Sequence, residues 1–553
     1  MNKNTKYLVT AALLYENGYV HLGHIAGAYL PPDMFVRYLR LQKRDVIFIC
    51  GSDEFGTAIE MSAIKEGITP KEIIDKYHFS NKQSFEKLGI EFDIYSRTSN
   101  KIHIETAQEF FLNLYNKNIL YPKTEKQLYS EKEKRFLADR FVEGTCPVCG
   151  FVSASGDQCE NCGSPLSPLQ LINPKSKISG DTPVVKDTTQ LFFPLSKFQE
   201  KLSEWIDSKK NWKQNVTNYC KGWFKTGLQD RAVTRDLDWG VPVPVEEYKD
   251  KKIYVWMEAP VGYISATKEL FIERENPDGW KDYWCDKENT KLIHFIGKDN
   301  IIFHSIVFPA MLMAHGEFVL PDNVPANEFL NLKGEKLSKS RGISIDVKDM
   351  VEKFNPDSIR YLLASTLPEN KDTEFSWEDL IAKNNNELAA IVGNFVNRTF
   401  VFAEKNFNGE VPSSGELLEI DKNLFTGLKQ RANTIAEFYE TYHFKDAVNE
   451  TMNVARDANK YFNDTEPWKA VKENKERCGT IINSCLQTIH SLAILLSPVT
   501  PFASDKILEM LGVNKDNFTW EKIGVTALAS NHKLNKSEIL FTKIEDSIIE
   551  LSN

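Results

Sequence analysis

The sequence predicts a doubly wound α/β domain, split by a metal-binding insertion and followed by an all-α helical bundle. Three observations carry this expectation: two strand–loop–helix units at the start of the chain, a return of that pattern after residue 235, and the loss of strand-like runs beyond Pro356. The run 7–14 reads as a buried strand, Asn17-Gly18 as a turn, and the segment after His24 as a helix interrupted or restarted at Pro31-Pro32. Asp45 to Cys50 reads as a second strand, Gly51 to Gly56 as a loop carrying Asp53, and Thr57 to Lys65 as a helix. Strands alternating with helices favour a parallel sheet, whose ligands collect beyond the carboxyl ends of the strands.

Between about 118 and 235 the alternation gives way to cysteine pairs, prolines and tryptophans, which marks an insertion. Strand patterns resume at Lys252 to Trp256 and at Lys291 to Ile296. The second runs through Gly297-Lys298-Asp299 into an apolar helix around Ile301 to Ala314. Helical periodicity then covers Trp377 to Glu404, Leu424 to Asn463 and Glu473 to Ser497.

A chain of 553 residues has room for about three to five domains. Its 42% hydrophobic and 26% charged content is globular, and a net charge of -9 argues against indiscriminate coating of nucleic acid by a basic surface. Nine cysteines, an odd number, do not suit a secreted disulfide framework. The apolar run behind Lys3 and Lys6 lacks an A-x-A cleavage site, and no stretch approaches the ~20 apolar residues of a membrane span. A cytoplasmic protein without a membrane segment is expected.

His21-Leu22-Gly23-His24 falls where a strand hands over to a helix, so free backbone N–H groups and two imidazoles are expected to favour a phosphate there. Lys336-Leu337-Ser338-Lys339-Ser340 lies between Gly334 and Gly342, where two ammonium groups can follow negative charge onto leaving pyrophosphate. Taken singly, each also reads as ordinary histidines or a solvated charge cluster. Cys146-Pro147-Val148-Cys149 and Cys159-Glu160-Asn161-Cys162 form C-x2-C-x9-C-x2-C. Four soft thiolates in two knuckles favour tetrahedral zinc with no position open for water, hence a structural metal; a redox dithiol or free thiols are the alternatives.

Together the two motifs resemble the HIGH and KMSKS elements of class I aminoacyl-tRNA synthetases, and over essentially the whole chain the resemblance is closest to the methionyl branch. It implies a split Rossmann-like nucleotide-binding catalytic domain (1–117 and 236–330), a connective insertion with a zinc knuckle (118–235), a KMSKS and stem-contact region (331–385) and an α-helical anticodon-binding domain with its tail (386–553). His21, Gly23, His24, Gly297 and Asp299 are then expected to bind ATP, and Lys336 and Lys339 its phosphates. His21, His24, Lys336 and Lys339 would be catalytic. Methionine would meet Ala12, Leu13, Tyr15, Trp256, Ala259, Pro260, Tyr263 and His304, with Asp53 on its ammonium. Asn394, Arg398 and Trp468 would read the anticodon. Implied cofactors are Zn2+ and Mg2+ with ATP; implied partners are L-methionine, ATP and initiator and elongator methionine tRNA, with a monomer expected.

From the residues alone, Trp256 and Tyr263 also suit a plain core, Gly297-Lys298-Asp299 a simple turn, Trp468 a helix anchor and Arg398 a solvated charge. Rival readings are a class I enzyme for leucine, isoleucine, valine or cysteine, a small nucleotidylyltransferase, and a non-enzymatic RNA-binding protein. The insertion is small for an editing domain, and the cysteines cluster away from the pocket residues. Leu14, Leu337, Phe55 and Asn300 depart from the branch's pattern, leaving the pocket's shape for the structure to decide.

Overall fold

The computed structural model describes residues 5–547 apart from 157, 158, 160, 163, 165, 333, 334, 337–343, 516 and 517. Seven parallel strands make the central sheet: β1 (Lys6–Ala11), β2 (Leu14–Tyr15), β3 (Asp45–Asp53), β4 (Ile94–Arg97), β5 (Thr290–Gly297), β6 (Pro321–Asn323) and β7 (Ala326–Asn327). β1 lies between β5 and β3, so Thr10 stands beside His294 on one side and Ile49 on the other. Tyr7-Leu8-Val9, Ile47-Phe48-Ile49 and Leu292-Ile293 are buried, as expected for a parallel sheet covered by helices on both faces. Because all strands point one way, the carboxyl ends at Ala11, Asp53 and Gly297 share one edge.

Several expectations need correction. The run 7–14 is not one strand: the ladder breaks at Ala12-Leu13 and resumes for two residues at β2. β3 runs on to Asp53, which therefore ends a strand instead of sitting in a loop. Pro31-Pro32 do not break the helix. Leu22–His24, a wide-turned stretch Ile25–Tyr29 and Leu30–Leu41 are continuous, and the prolines sit near the start of the last stretch. The Asn327 side-chain amide donates to the Ala26 and Gly27 carbonyls at 3.4 and 3.2 Å, supplying donors that the prolines, without N–H groups, cannot. Lys252 to Trp256 is not a sheet strand either. Lys252–Ile253 lies outside the central sheet, pairing with Thr234–Arg235 and bridging Pro242, and Trp256 sits in the helical turn Val255–Glu258. Strands do not vanish after Pro356, since Thr373–Phe375 pairs with Leu330–Leu332; three residues give too short a pattern to read. Leu424 to Asn463 is two helices, Glu419–Glu440 and Phe444–Asp464, broken where Tyr442 adopts φ +60°.

In the insertion, Tyr121–Ser130 pairs antiparallel with Val184–Phe193, and Val142–Thr145 pairs with Ala154–Ser155 and Ile172–Ser176. These two separate sheets contribute to one small cluster, with Leu128, Leu137, Phe141, Val142 and Ala154 around Cys146 and Cys159. The returning chain is clamped to the main sheet. Trp239 Nε1 donates to the Glu54 carbonyl at 2.8 Å, its ring packs 5.3 Å from that of Phe55, and Arg135 reaches Glu60 at 3.1 Å.

The bundle shares the core of the α/β region, where Tyr38 stacks on Tyr439 with centroids 4.9 Å apart. Arg360 ties the two. Wholly buried, it donates to Asp33 Oδ2 (2.6 Å) and to the carbonyls of Val499, Pro498, Gly89 and Leu88. The helix Lys475–Leu496 does match a membrane span in length and composition, contrary to expectation, but its apolar stretch is buried against its neighbours. It forms the bundle's axis.

Candidate active site

The break after β1 opens the site. Ala12 N–H still reaches the Phe295 carbonyl at 3.0 Å, while Leu13 N–H points to Tyr263 Oη at 3.4 Å, so the chain leaves the sheet here. Tyr263 Oη lies 2.8 Å from His304 Nε2, and His304 Nδ1 lies 3.0 Å from the Asn300 carbonyl. A carbonyl only accepts, so Nδ1 carries the proton, Nε2 accepts, and Tyr263 donates to it. Burial lowers the His304 imidazole to about 4, which keeps it neutral at pH 7. The result is a directed chain from Leu13 N–H through Tyr263 and His304 to Asn300.

Asp53 ends β3 opposite Tyr15 of β2. Its Oδ1 is enclosed and has no hydrogen-bond partner. Burial, reinforced by Glu258, pushes its carboxyl well above the ordinary range, while the Phe55 N–H opposes the shift. An enclosed carboxylate oxygen without a donor is costly unless a cation completes it. Tyr15 is held by Gly56: at φ +112°, this residue brings the chain so close that a Cβ would lie 2.6 Å from Tyr15 Oη. Burial raises the Tyr15 phenol, which stays protonated. Trp256 is half-exposed, and its ring stands edge-on to Phe303 at 4.9 Å.

His21 and His24 stack with ring centroids 3.6 Å apart, and His21 N–H points to His24 Nδ1 at 3.3 Å. That bond places the proton of a neutral His24 on Nε2, a donor suited to a phosphate oxygen. Of the backbone N–H groups expected to be free at this helix start, three have partners. Leu22 N–H goes to the Ile345 carbonyl, and the N–H groups of His24 and Ile25 go to that of His21. Gly297 closes β5, and a Cβ there would lie 2.9 Å from Asp299 Oδ1, so glycine sets where that carboxylate rests.

Lys339 lies outside the described residues. Lys336 is placed by its backbone alone: Glu335–Lys336 pairs with Leu330–Leu332. On the other flank of 337–343, Ile345 bonds Leu22 and Asp346 bridges His21, so both flanks border the histidine motif's wall or its neighbour.

One cavity of about 760 Å3 gathers Ala12, Leu13, Tyr15, His21, Gly23, His24, Asp53, Trp256, Ala259, Pro260, Tyr263, Gly297, Asp299 and His304. It thus unites the residues expected at the methionine and ATP sites, the two lysines apart. Sequence reasoning missed Tyr29, whose Oη donates to the Ala12 carbonyl at 2.9 Å, and also Gly56, Phe303 and Glu328. Only the glycine at 56 leaves a trace in sequence, as the end of a turn-rich stretch. Of the departures, Leu14 is buried in β2, Phe55 packs on Trp239, and Asn300 contributes its backbone carbonyl.

The four cysteines of the knuckle bring their sulfurs within 4.8 Å of one another, with Cys146–Cys162 at 3.9 Å and Cys149–Cys159 at 3.6 Å. Those spacings match the edges of a tetrahedron with ~2.3 Å metal–sulfur bonds, so the cluster can hold a metal ion. Hydrogen bonding with the Ser164 side chain and backbone lowers the Cys162 thiol to about 6, favouring the thiolate.

In the bundle, Asn394 is exposed on the helix Asn394–Phe407. One turn on, Arg398 lies 4.1 Å over Phe462 and donates to Asn463 and Asn459. Trp468, 44% exposed, packs on the same Phe462 at 6.2 Å. Arg398 and Trp468 therefore share one platform. Arg398 also has a structural task, fastening its helix to Phe444–Asp464.

The model for "tRNA synthetases class I (M)" matches residues 7–400, and that for "Anticodon binding domain of methionyl tRNA ligase" matches 411–551. The methionine–tRNA ligase of Bacteroides fragilis is 52% identical over 100% of this chain and 81% of its own length. That of Cytophaga hutchinsonii is 50% identical over 99% of this chain and likewise 81% of its own length. Among solved structures, Mycobacterium tuberculosis methionyl-tRNA synthetase in complex with methionyl-adenylate aligns with a TM-score of 0.79 at 26% identity, covering 97% of this chain and 99% of that one. With its family models spanning both the α/β region and the bundle, the chain belongs to the methionyl-tRNA synthetases of class I.

Proposed function

We propose that the protein is a methionine–tRNA ligase: it activates L-methionine with ATP to methionyl-adenylate and transfers the methionyl group to the 3' end of methionine tRNA. The observation that carries the substrate assignment is the enclosed Asp53 Oδ1 without a donor, set in a cavity walled by Tyr15, Trp256, Tyr263 and His304. The ammonium of an amino acid completes that oxygen with a charge-assisted bond, and aromatic walls suit a thioether through contacts of ~0.3 to 1.5 kcal/mol.

In this reading the methionine carboxylate attacks the ATP α-phosphorus and releases pyrophosphate, and the 2'-hydroxyl of the terminal adenosine then attacks the activated carbonyl. His21, Gly23, His24, Gly297 and Asp299 hold ATP, while Lys336 and Lys339 meet its phosphates. Mg2+ would arrive with ATP and would supply compensation for its phosphate charge. The chain itself acts by orientation and charge stabilisation, with no covalent enzyme intermediate.

The four cysteines hold one structural zinc ion, for which the sulfur spacing and the all-thiolate donor set speak. Asn394, Arg398 and Trp468 read the anticodon of initiator and elongator tRNA, the exposed Trp468 by stacking. The domains run 1–117 and 236–330 (catalytic), 118–235 (insertion), 331–385 (stem contact) and 386–553 (anticodon). The enzyme acts in the cytoplasm as a monomer, which light scattering tests. ATP–pyrophosphate exchange against all twenty amino acids tests the function: methionine should support exchange, and exchange with leucine but not methionine would overturn the substrate.

A further inference from the structure

Lys298 stands inside the turn that presents Gly297 and Asp299 to the cavity, yet its own side chain is committed elsewhere. Its ammonium donates to Asp372 Oδ1 at 2.7 Å and to Glu328 Oε2 at 2.8 Å, and it lies 4.2 Å from the centroid of Phe329. The partners are themselves fixed. Asp372 Oδ1 also accepts the Phe329 N–H at 2.9 Å, and Glu328 Oε1 accepts from Asn215 at 3.0 Å. Glu328, Phe329 and Leu330 line the same cavity as Gly297 and Asp299. One cation thus joins two walls of the cavity that are brought together only by the fold.

The charges matter as much as the geometry. Among the described residues, Lys298 is the cation that pairs directly with both Glu328 and Asp372, and Glu328 lines the space assigned to a polyanion. With Lys298 gone, the Glu328 carboxylate would face ATP without its paired ammonium, and the short turn after β5 would lose its anchor to the opposite wall.

We infer that Lys298 is a positioning residue for the nucleotide, clamping the Gly297–Asp299 turn to the Glu328–Leu330 wall through Glu328 and Asp372. This rests on the reading that the turn holds ATP. The test is ATP–pyrophosphate exchange with separate titrations of ATP and methionine for Lys298→Met, Lys298→Arg, Asp372→Asn and Asp299→Ala, with a thermal midpoint for each. Lys298→Met should raise KM for ATP about tenfold while KM for methionine stays within about twofold, because the clamp acts at the nucleotide end alone. Lys298→Arg should recover most of the loss. Asp372→Asn keeps an acceptor for the Phe329 N–H but weakens the clamp, and should raise KM for ATP about threefold. An unchanged or lower KM for ATP in Asp372→Asn would overturn the clamp, since a lysine released from its acid could then serve ATP directly. Equal losses for ATP and methionine would also overturn it, as the mark of general damage. If Asp299→Ala leaves KM for ATP unchanged, the parent reading of the turn fails; if Asp299→Ala raises it and Lys298→Met does not, the clamp alone fails.

Discussion

The cysteine knuckle and the amino-acid pocket solve opposite problems. The knuckle draws its four cysteines from residues 146–162 and sits on a satellite core, with eight buried residues among those described, separate from the main one. The pocket draws on Leu13, Asp53, Tyr263 and His304, which only the sheet and its helices bring together, and it rests on the main core. A small core stabilises little by itself, and a metal ion, which the four cysteines can hold, would fix the knuckle's shape. The pocket needs none and can leave Asp53 Oδ1 without a partner, because the surrounding structure bears the cost.

The comparison breaks first at the knuckle if it is wrong. Cys149→Ser should remove the bound metal, measured as metal per chain, and melt the sheet around Val142–Thr145, because metal binding contributes roughly 10 kcal/mol or more to such sites. Pyrophosphate exchange should stay within about tenfold of the parent, since no cysteine lines the cavity. Exchange lost together with the metal would mean that the two regions are one unit.

Next in size is Asp53→Ala. Loss of the ammonium partner should lower kcat/KM for methionine by about 100- to 1,000-fold, while the thermal midpoint holds or rises, because the side chain removed is an enclosed carboxylate without a donor on Oδ1. A large drop in stability would show that Asp53 is structural, as the cysteines are.

Tyr263→Phe is smaller. It deletes the link between Leu13 N–H and His304 Nε2 and leaves the latter a buried acceptor without its donor, at about 1 to 3 kcal/mol. The expected loss is about tenfold in kcat/KM for methionine, with ATP affinity unchanged in the same titrations.

The smallest effect is a pH signature. His304 is depressed from 6.5 to about 4 in the folded protein. Between those values the unfolded chain holds the proton and the native one does not, so this residue's contribution is full above the unfolded pKa and is lost as pH falls toward about 4. Urea unfolding of the parent and of His304→Asn across this window should differ in slope by about one proton, the variant being the flatter. Parallel slopes would mean that the imidazole is not held neutral.

How much of this was legible in the sequence follows from distance along the chain. The knuckle was readable because its spacing is its geometry. β1, β3 and β5 were readable as apolar runs, although their ends were not: Asp53 continues β3, and the run 7–14 splits where Leu13 turns to Tyr263. Lys252 to Trp256 looked like a strand because Ile, Tyr, Val and Trp suit one; tertiary packing made it a helical turn that shows Trp256 to the cavity. Gly56, Phe303 and Glu328 carry no local pattern of a ligand site, and their roles arise from what the fold sets beside them.

By itself the sequence determined the class of the chain, through the histidine and lysine motifs, the cysteine spacing and the order of strands and helices, because each is a local or periodic feature. Only the tertiary structure decided that Asp53 Oδ1 is enclosed without a donor, that His304 is a neutral acceptor for Tyr263, and that Lys298 joins two walls of the cavity. Each depends on burial and on atoms contributed by distant segments, and burial is a property of the packed chain.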